Sequence, residues 1–159
     1  MVNEKSFLYL WVIVFLALLG KSTQNCPTTV AFHANSLSNT QLLPGNKLVF
    51  RVIKVNQGGA YNSRSGIFVA PQNGTYSFNA HLCLVAGNAL GFDVMVGSSV
   101  YSSTYARGYT GCGCSSVPAI AVLKQNDQVY LRWKTYSHTS SSVICQSIPQ
   151  STFTGMLIN

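Results

Sequence analysis

Apolar and polar positions alternate along most of this chain in short runs that turn residues interrupt. The clearest run is Thr75–Val85, where Tyr76, Phe78, Ala80, Leu82 and Leu84 share one parity and Ser77, Asn79, His81 and Cys83 the other. A period of two marks a strand with one face on a core. Lys47–Val55 (KLVFRVIKV) is dense in β-branched and aromatic residues, which favour strands. Val30–Ala34, Gly66–Ala70 (closed by Pro71), Phe92–Val96, Val117–Leu123, Gln128–Thr135 and Thr152–Ile158 complete the series. No long stretch with a 3.6-residue period follows position 22, and no internal repeat is visible. Regular short strands between turns predict an all-β sandwich or barrel.

The first residues break the pattern. Lys5 precedes an unbroken apolar run, Phe7–Leu19, and Gly20-Lys21-Ser22 then offers small residues at alternate positions. This is the layout of a secretory signal peptide cleaved after Ser22. The run of thirteen residues is shorter than the roughly 20 that span a bilayer. The expected division is a signal peptide at 1–22, a short segment at 23–29 and one globular domain at 30–159. A secreted, extracellular protein with no membrane span after cleavage is expected.

Charge narrows the partners. Without residues 1–22 the chain keeps Lys47, Arg51, Lys54, Arg64, Arg107, Lys124, Arg132 and Lys134 against only Asp93 and Asp127, a net +6. A basic surface favours anionic partners such as acidic glycans or microbial envelopes. The bases stand singly, without a run or a helix face, so nucleic acid is not expected. Five cysteines are an odd number, so one stays free or pairs with another chain. Cys83, Cys112, Cys114 and Cys145 are the candidates for disulfides within the chain. Cys26, ahead of the first strand, is the candidate for a disulfide between chains.

Catalytic chemistry is sparse. Two acids far apart in sequence make a poor carboxylate pair, and neither G-x-S-x-G nor H-E-x-x-H occurs. His33, His81 and His138 are widely separated, and two acids are few for a calcium cage, so no enzyme, cofactor or metal site is expected. Asp127 reads as a turn residue. Two stretches suit binding. On Tyr130–Tyr136, alternation sends Leu131 and Trp133 inward and groups Tyr130, Arg132, Lys134 and Tyr136 outward. Tyrosines stack on sugar faces and Arg pairs carboxylates bidentately. The second stretch, Ser98–Ser116, reads as a Tyr-, Ser- and Gly-rich loop carrying Tyr101, Tyr105, Arg107 and Tyr109. Asn73-Gly74-Thr75 is an N-glycosylation sequon in a predicted turn.

One ordered set of residues carries a family resemblance. Phe50, Asn56, Tyr61, Phe68 and Gly74-Thr75-Tyr76-Ser77-Phe78 follow one another at the spacing of the aromatic signature of the C1q globular head. Ala31-Phe32-His33-Ala34, Gly66-Ile67-Phe68-Val69-Ala70-Pro71, Asn126-Asp127-Gln128-Val129 and Ser151–Ile158 resemble further strands of that family. The signature usually ends on another aromatic, where this chain has Ala80. The resemblance implies a ten-stranded jelly-roll sandwich, related in shape to tumour-necrosis-factor-like proteins, that assembles as a homotrimer. Phe50, Phe68, Tyr76 and Phe78 read as core, and Gly58, Gly59 and Gly74 as turn positions needing positive φ. No Gly-X-Y tract lies between Cys26 and the first strand, so this resembles a short form without a collagen stalk, and a complement-initiating role is not implied. The functional expectation is a non-enzymatic, oligomeric recognition protein of innate-immune or lectin type that binds acidic or microbial glycans. The alternatives are a cerebellin-like organiser that binds protein receptors, and a structural component of the extracellular matrix.

Overall fold

A computed structural model describes residues 29–38, 44–109, 111–137, 144–145 and 151–159, with backbone only at 135–137. The predicted signal peptide, Cys26 and His138 lie outside the described residues. The chain is all-β, with ten strands: β1 (Ala31–Leu37), β2 (Phe50–Gln57), β3 (Tyr61–Asn62), β4 (Ile67–Val69), β5 (Gly74–Val85), β6 (Ala89–Val96), β7 (Ser99–Arg107), β8 (Cys112–Leu123), β9 (Gln128–Ser137) and β10 (Thr152–Leu157). They form two antiparallel five-stranded sheets, ordered β2-β1-β10-β5-β8 and β3-β4-β9-β6-β7. These are the two layers of a jelly-roll sandwich.

The inward parities of the alternating strands meet in an aromatic core. Phe32 stacks on Tyr61 at 4.8 Å between ring centroids and meets Phe153 edge-on at 5.0 Å. Phe68 meets Phe78 edge-on at 5.2 Å. These geometries add to the burial that drives the fold. Gly155 makes room for them, since a Cβ there would lie 2.5 Å from both Phe32 Cε1 and Phe78 Cδ1. Ala80, where an aromatic was expected, is fully buried between its cross-strand partners Phe153 and Val117.

The signature residues also have polar roles. The Tyr61 hydroxyl accepts from the Phe50 amide at 3.1 Å and donates to the Phe50 carbonyl at 3.2 Å. Burial pushes its pKa up to about 12, with the bond to the Phe50 backbone acting the other way. Asn56 accepts from the Tyr61 amide at 3.1 Å and donates to the Tyr61 carbonyl at 2.9 Å. Its side chain thus binds Tyr61 as a neighbouring strand would. Gly58 and Gly59 have the expected positive φ (80° and 63°). Gly74 does not require it: a Cβ there would lie 2.5 Å from Leu157 Cδ1 and 2.6 Å from the Asn159 carbonyl oxygen, so close approach of the last strand is what demands glycine.

Two predicted elements change. The Lys47–Val55 strand divides between the sheets. Lys47 bridges Arg132 of β9 and Leu48 donates to the Leu131 carbonyl, whereas Phe50–Gln57 pairs with β1. β2 is the edge of its sheet, so Val52, Ile53 and Val55 are exposed despite their apolar character. The predicted Ser98–Ser116 loop is instead β7 and the start of β8, because serine and tyrosine are as compatible with an exposed strand as with a loop.

Two disulfides use all four expected cysteines, joining Cys83 to Cys114 and Cys112 to Cys145. Asp127 is a turn residue: its Oδ2 accepts from the Lys124 amide at 2.8 Å, and neighbouring Asn126 has φ 73°.

Candidate ligand-binding face

The outer face of the β3-β4-β9-β6-β7 sheet unites the two predicted binding stretches. On β6, Leu90, Phe92 and Val94 belong to the core, so Ala89, Gly91, Asp93 and Met95 turn to the other face of the sheet, where they too are buried. β9 flanks β6 on one side and β7 on the other. In register, Ser103–Asp93–Arg132 forms one row, Tyr105–Gly91–Thr135 the next and Arg107–Ala89–Ser137 a third. At about 4.8 Å per strand, β7 and β9 stand about 10 Å apart on this face.

Asp93 organises the centre. It is fully buried, yet its Oδ2 accepts from Arg132 Nη2 at 2.7 Å and its Oδ1 from the Ser103 hydroxyl. Burial alone would raise its pKa. The bonds from Ser103 and Arg132, with the positive charges of Lys134 and Arg132, outweigh that and hold the carboxyl below its ordinary value. Lys47 reaches this face through its bridge to Arg132 and places Nζ 4.8 Å from the centre of the Tyr130 ring. The Tyr130 hydroxyl donates to the Gly97 carbonyl at 3.1 Å, which fixes the ring. On β7, Tyr101, Tyr105 and Arg107 are exposed, and the Arg107 guanidinium lies 5.5 Å from the centre of the exposed Tyr109 ring.

The predicted residues divide accordingly. Tyr130, Arg132, Lys134, Tyr105, Arg107 and Tyr109 are displayed together or close by, but Arg132 is already engaged by Asp93. Tyr136 pairs with Leu90 beyond a register shift, so the simple alternation that grouped it with Arg132 does not run through that point. Its side chain is outside the described ones. Asn73 is exposed in the bend before β5, where its Oδ1 accepts from the Gln125 amide at 2.8 Å.

Sequence reasoning passed over three features. Asp93 stands alone in the apolar run Ala89–Val96 (ALGFDVMV), and a carboxylate inside such a run signals a buried partner. His81, Cys83 and Cys114 bring three potential metal donors within 4.8 Å of one another, a proximity that sequence distance concealed. On the outer face of the other sheet, Ile120 is 66% and Val122 76% exposed. Met156 and Ile158 are exposed beside them: Ser77 links Met156 to Ile120 in register, and Ile158 donates to Thr75, the partner of Val122. The signal was Val117–Leu123 (VPAIAVL), apolar on both parities where a half-exposed strand should alternate.

Comparisons with known proteins agree with this architecture. The family described as C1q domain matches residues 31–158. The solved globular domain of zebrafish complement 1qA protein superposes with a TM-score of 0.65 at 16% identity, over 82% of this chain and 98% of that one. Among the described residues, no helix is long and apolar enough to cross a membrane.

Proposed function

Because the chain belongs to the C1q domain family, whose members are non-enzymatic recognition or structural proteins, generally secreted and trimeric, we propose that it is a secreted homotrimer that binds acidic or microbial glycans on the outer face of β7, β6 and β9. The observation that carries this reading is the union, on one sheet face, of Tyr105 and Arg107 with Tyr130 and Lys47, and with Lys134, whose charge acts on Asp93. The one acid on that face, Asp93, is buried and already paired, so it does not repel an anionic ligand at the surface. Tyrosine rings offer flat contact to sugars, and Lys134 and Arg107 offer charge. Arg132 holds the face in shape through Asp93 rather than serving as the primary clamp.

The apolar patch of Ile120, Val122, Met156 and Ile158 supports trimerisation, since a contiguous exposed patch on a monomer marks an association surface. Each site alone binds weakly, and three sites supply avidity. In the same reading, residues 1–22 are removed on export and Cys26 links chains. A protein receptor is the second reading, favoured by Val100, exposed beside Tyr101 on the outer strand β7, because aromatic and aliphatic anchors dominate protein interfaces.

A glycan array with the mature protein distinguishes the two. Binding to acidic glycans that weakens with added salt is expected. Tyr105→Ala and Lys134→Ala should each reduce it about tenfold while leaving the particle mass unchanged. Wild-type binding by both variants would remove this face as the site.

A further inference from the structure

The outer face of β5 and β8 carries a second cluster, about 13 Å along the strands from Ile120. Cys83 stands directly opposite Cys114 in register, and the two are disulfide-bonded. In the adjacent outward pair, His81 faces Ser116. The imidazole Nε2 is 3.2 Å from Cys83 Sγ, and Nδ1 is 2.7 Å from the Ser116 hydroxyl oxygen. Cys83 is buried, while His81 and Cys114 are not.

We propose that the Cys83–Cys114 disulfide caps a latent metal site, and that its dithiol form binds a zinc-class cation through Cys83 Sγ, Cys114 Sγ and His81 Nε2. Two thiolates and one imidazole are a zinc donor set, leaving a fourth position for water. In a tetrahedral site, Zn–S bonds of about 2.3 Å set the sulfurs about 3.8 Å apart. Once the S–S bond opens, the sulfurs must part and Nε2, now 3.2 Å from Cys83 Sγ, must draw back by a few tenths of an ångström, small adjustments for three donors that already lie within 4.8 Å of one another. Ser116 supplies the supporting contact. When Nδ1–H donates to its hydroxyl, the Nε2 lone pair is directed at the sulfurs, the orientation that ligating histidines require.

The reductant is an external thiol. Its thiolate attacks the accessible Cys114 Sγ and forms a mixed disulfide, and the electron pair of the S–S bond leaves on Cys83 Sγ. A second external thiolate attacks the external sulfur of the mixed disulfide, releasing the oxidised thiol and the Cys114 thiolate. The two thiolates then balance the charge of the divalent cation. β5 and β8 pair through twelve register positions, so their alignment survives loss of the disulfide. Among the described residues, the Cys112–Cys145 bridge has no comparable histidine donor.

The test uses the mature protein reduced with a phosphine, freed of excess reductant under anaerobic conditions and titrated with Co2+ and then Zn2+. One Co2+ per chain should bind, with thiolate charge-transfer and tetrahedral d–d bands, and one Zn2+ should displace it. The oxidised protein should show no bands. His81→Ala should weaken Co2+ binding at least tenfold. In the wild-type protein, Zn2+ should protect Cys83 and Cys114, but not Cys112 and Cys145, from alkylation read by mass spectrometry. The proposal is overturned by absent bands, by His81→Ala binding Co2+ as wild type does, by the reverse protection pattern, or by loss of β-sheet circular dichroism on reduction.

Discussion

Replacing Arg132 with alanine asks what a single ion pair contributes when one partner cannot reach water. The Asp93 side chain is 0% exposed and that of Arg132 33%. Removing one partner of a buried pair costs about 3–5 kcal/mol, because the surviving charge is left uncompensated. Ser103 still donates to Asp93, and water screens the outer side of Arg132, so about 2 kcal/mol is the expected loss. For a domain of this size that is about 5–10 °C in Tm. The pH dependence has a definite sign. The Asp93 carboxyl is held below its ordinary value, so its stabilisation is present above the unfolded-state pKa of about 3.9 and is lost as pH falls through the folded-state value. The Tm gap between wild type and Arg132→Ala should be full near pH 6 and should shrink below about pH 4. The double replacement Asp93→Val with Arg132→Val should recover much of the loss, because apolar groups of similar volume often replace a buried pair at little cost. Melting followed by circular dichroism from pH 3 to 7, at one fixed protein concentration, measures all of this. An Arg132→Ala loss under about 0.5 kcal/mol at pH 6, or a gap that persists unchanged at pH 3, would refute the reasoning.

Two further outcomes follow from packing. Gly155→Ala should destabilise by about 3 kcal/mol or prevent folding, because its Cβ has no space between Phe32 and Phe78; an unchanged denaturant midpoint would show that the rings yield freely. Ile120→Glu combined with Val122→Glu should convert the proposed trimer to monomers in light scattering without altering the far-ultraviolet spectrum, and an unaltered particle mass would move the association surface elsewhere.

The fold was legible because its long strands alternate. Tyr76, Phe78, Ala80, Leu82 and Leu84 are all buried on the parity the sequence sets, and Leu131 and Trp133 likewise. What alternation could not reveal is where it fails. A register shift after Trp133 breaks the parity ahead of Tyr136, and bulges of this kind leave little trace in composition. Lys47 and Arg51 lie four residues apart in one β-prone run, yet the chain crosses between sheets there. Propensity reports extended backbone without reporting which neighbour it joins. The candidate face was therefore half legible. Its tyrosines, Arg107, Arg132 and Lys134 were identified, but Lys47 and Asp93 were not; the meeting across β6 depends on strand order, and the commitment of Arg132 to Asp93 depends on a pairing 39 residues apart.

The placement of β10 has a consequence for how the molecule comes into being. Its six residues are the last strand in sequence, yet they lie between β1 and β5 in the middle of their sheet. As the polypeptide emerges from a ribosome, β1 with β2, and β5 with β8, can form early as two separate ribbons, each presenting a bare edge. Only when Thr152–Leu157 appears can the ribbons be zipped together, and with them Phe153 and Gly155 enter the core. Pairings of this sequence separation form slowly, and unpaired edges recruit other chains while they wait. Closure of this sheet thus waits on β10, and a nascent chain stalled before residue 152 is a form with two bare edges, exposed to misassembly.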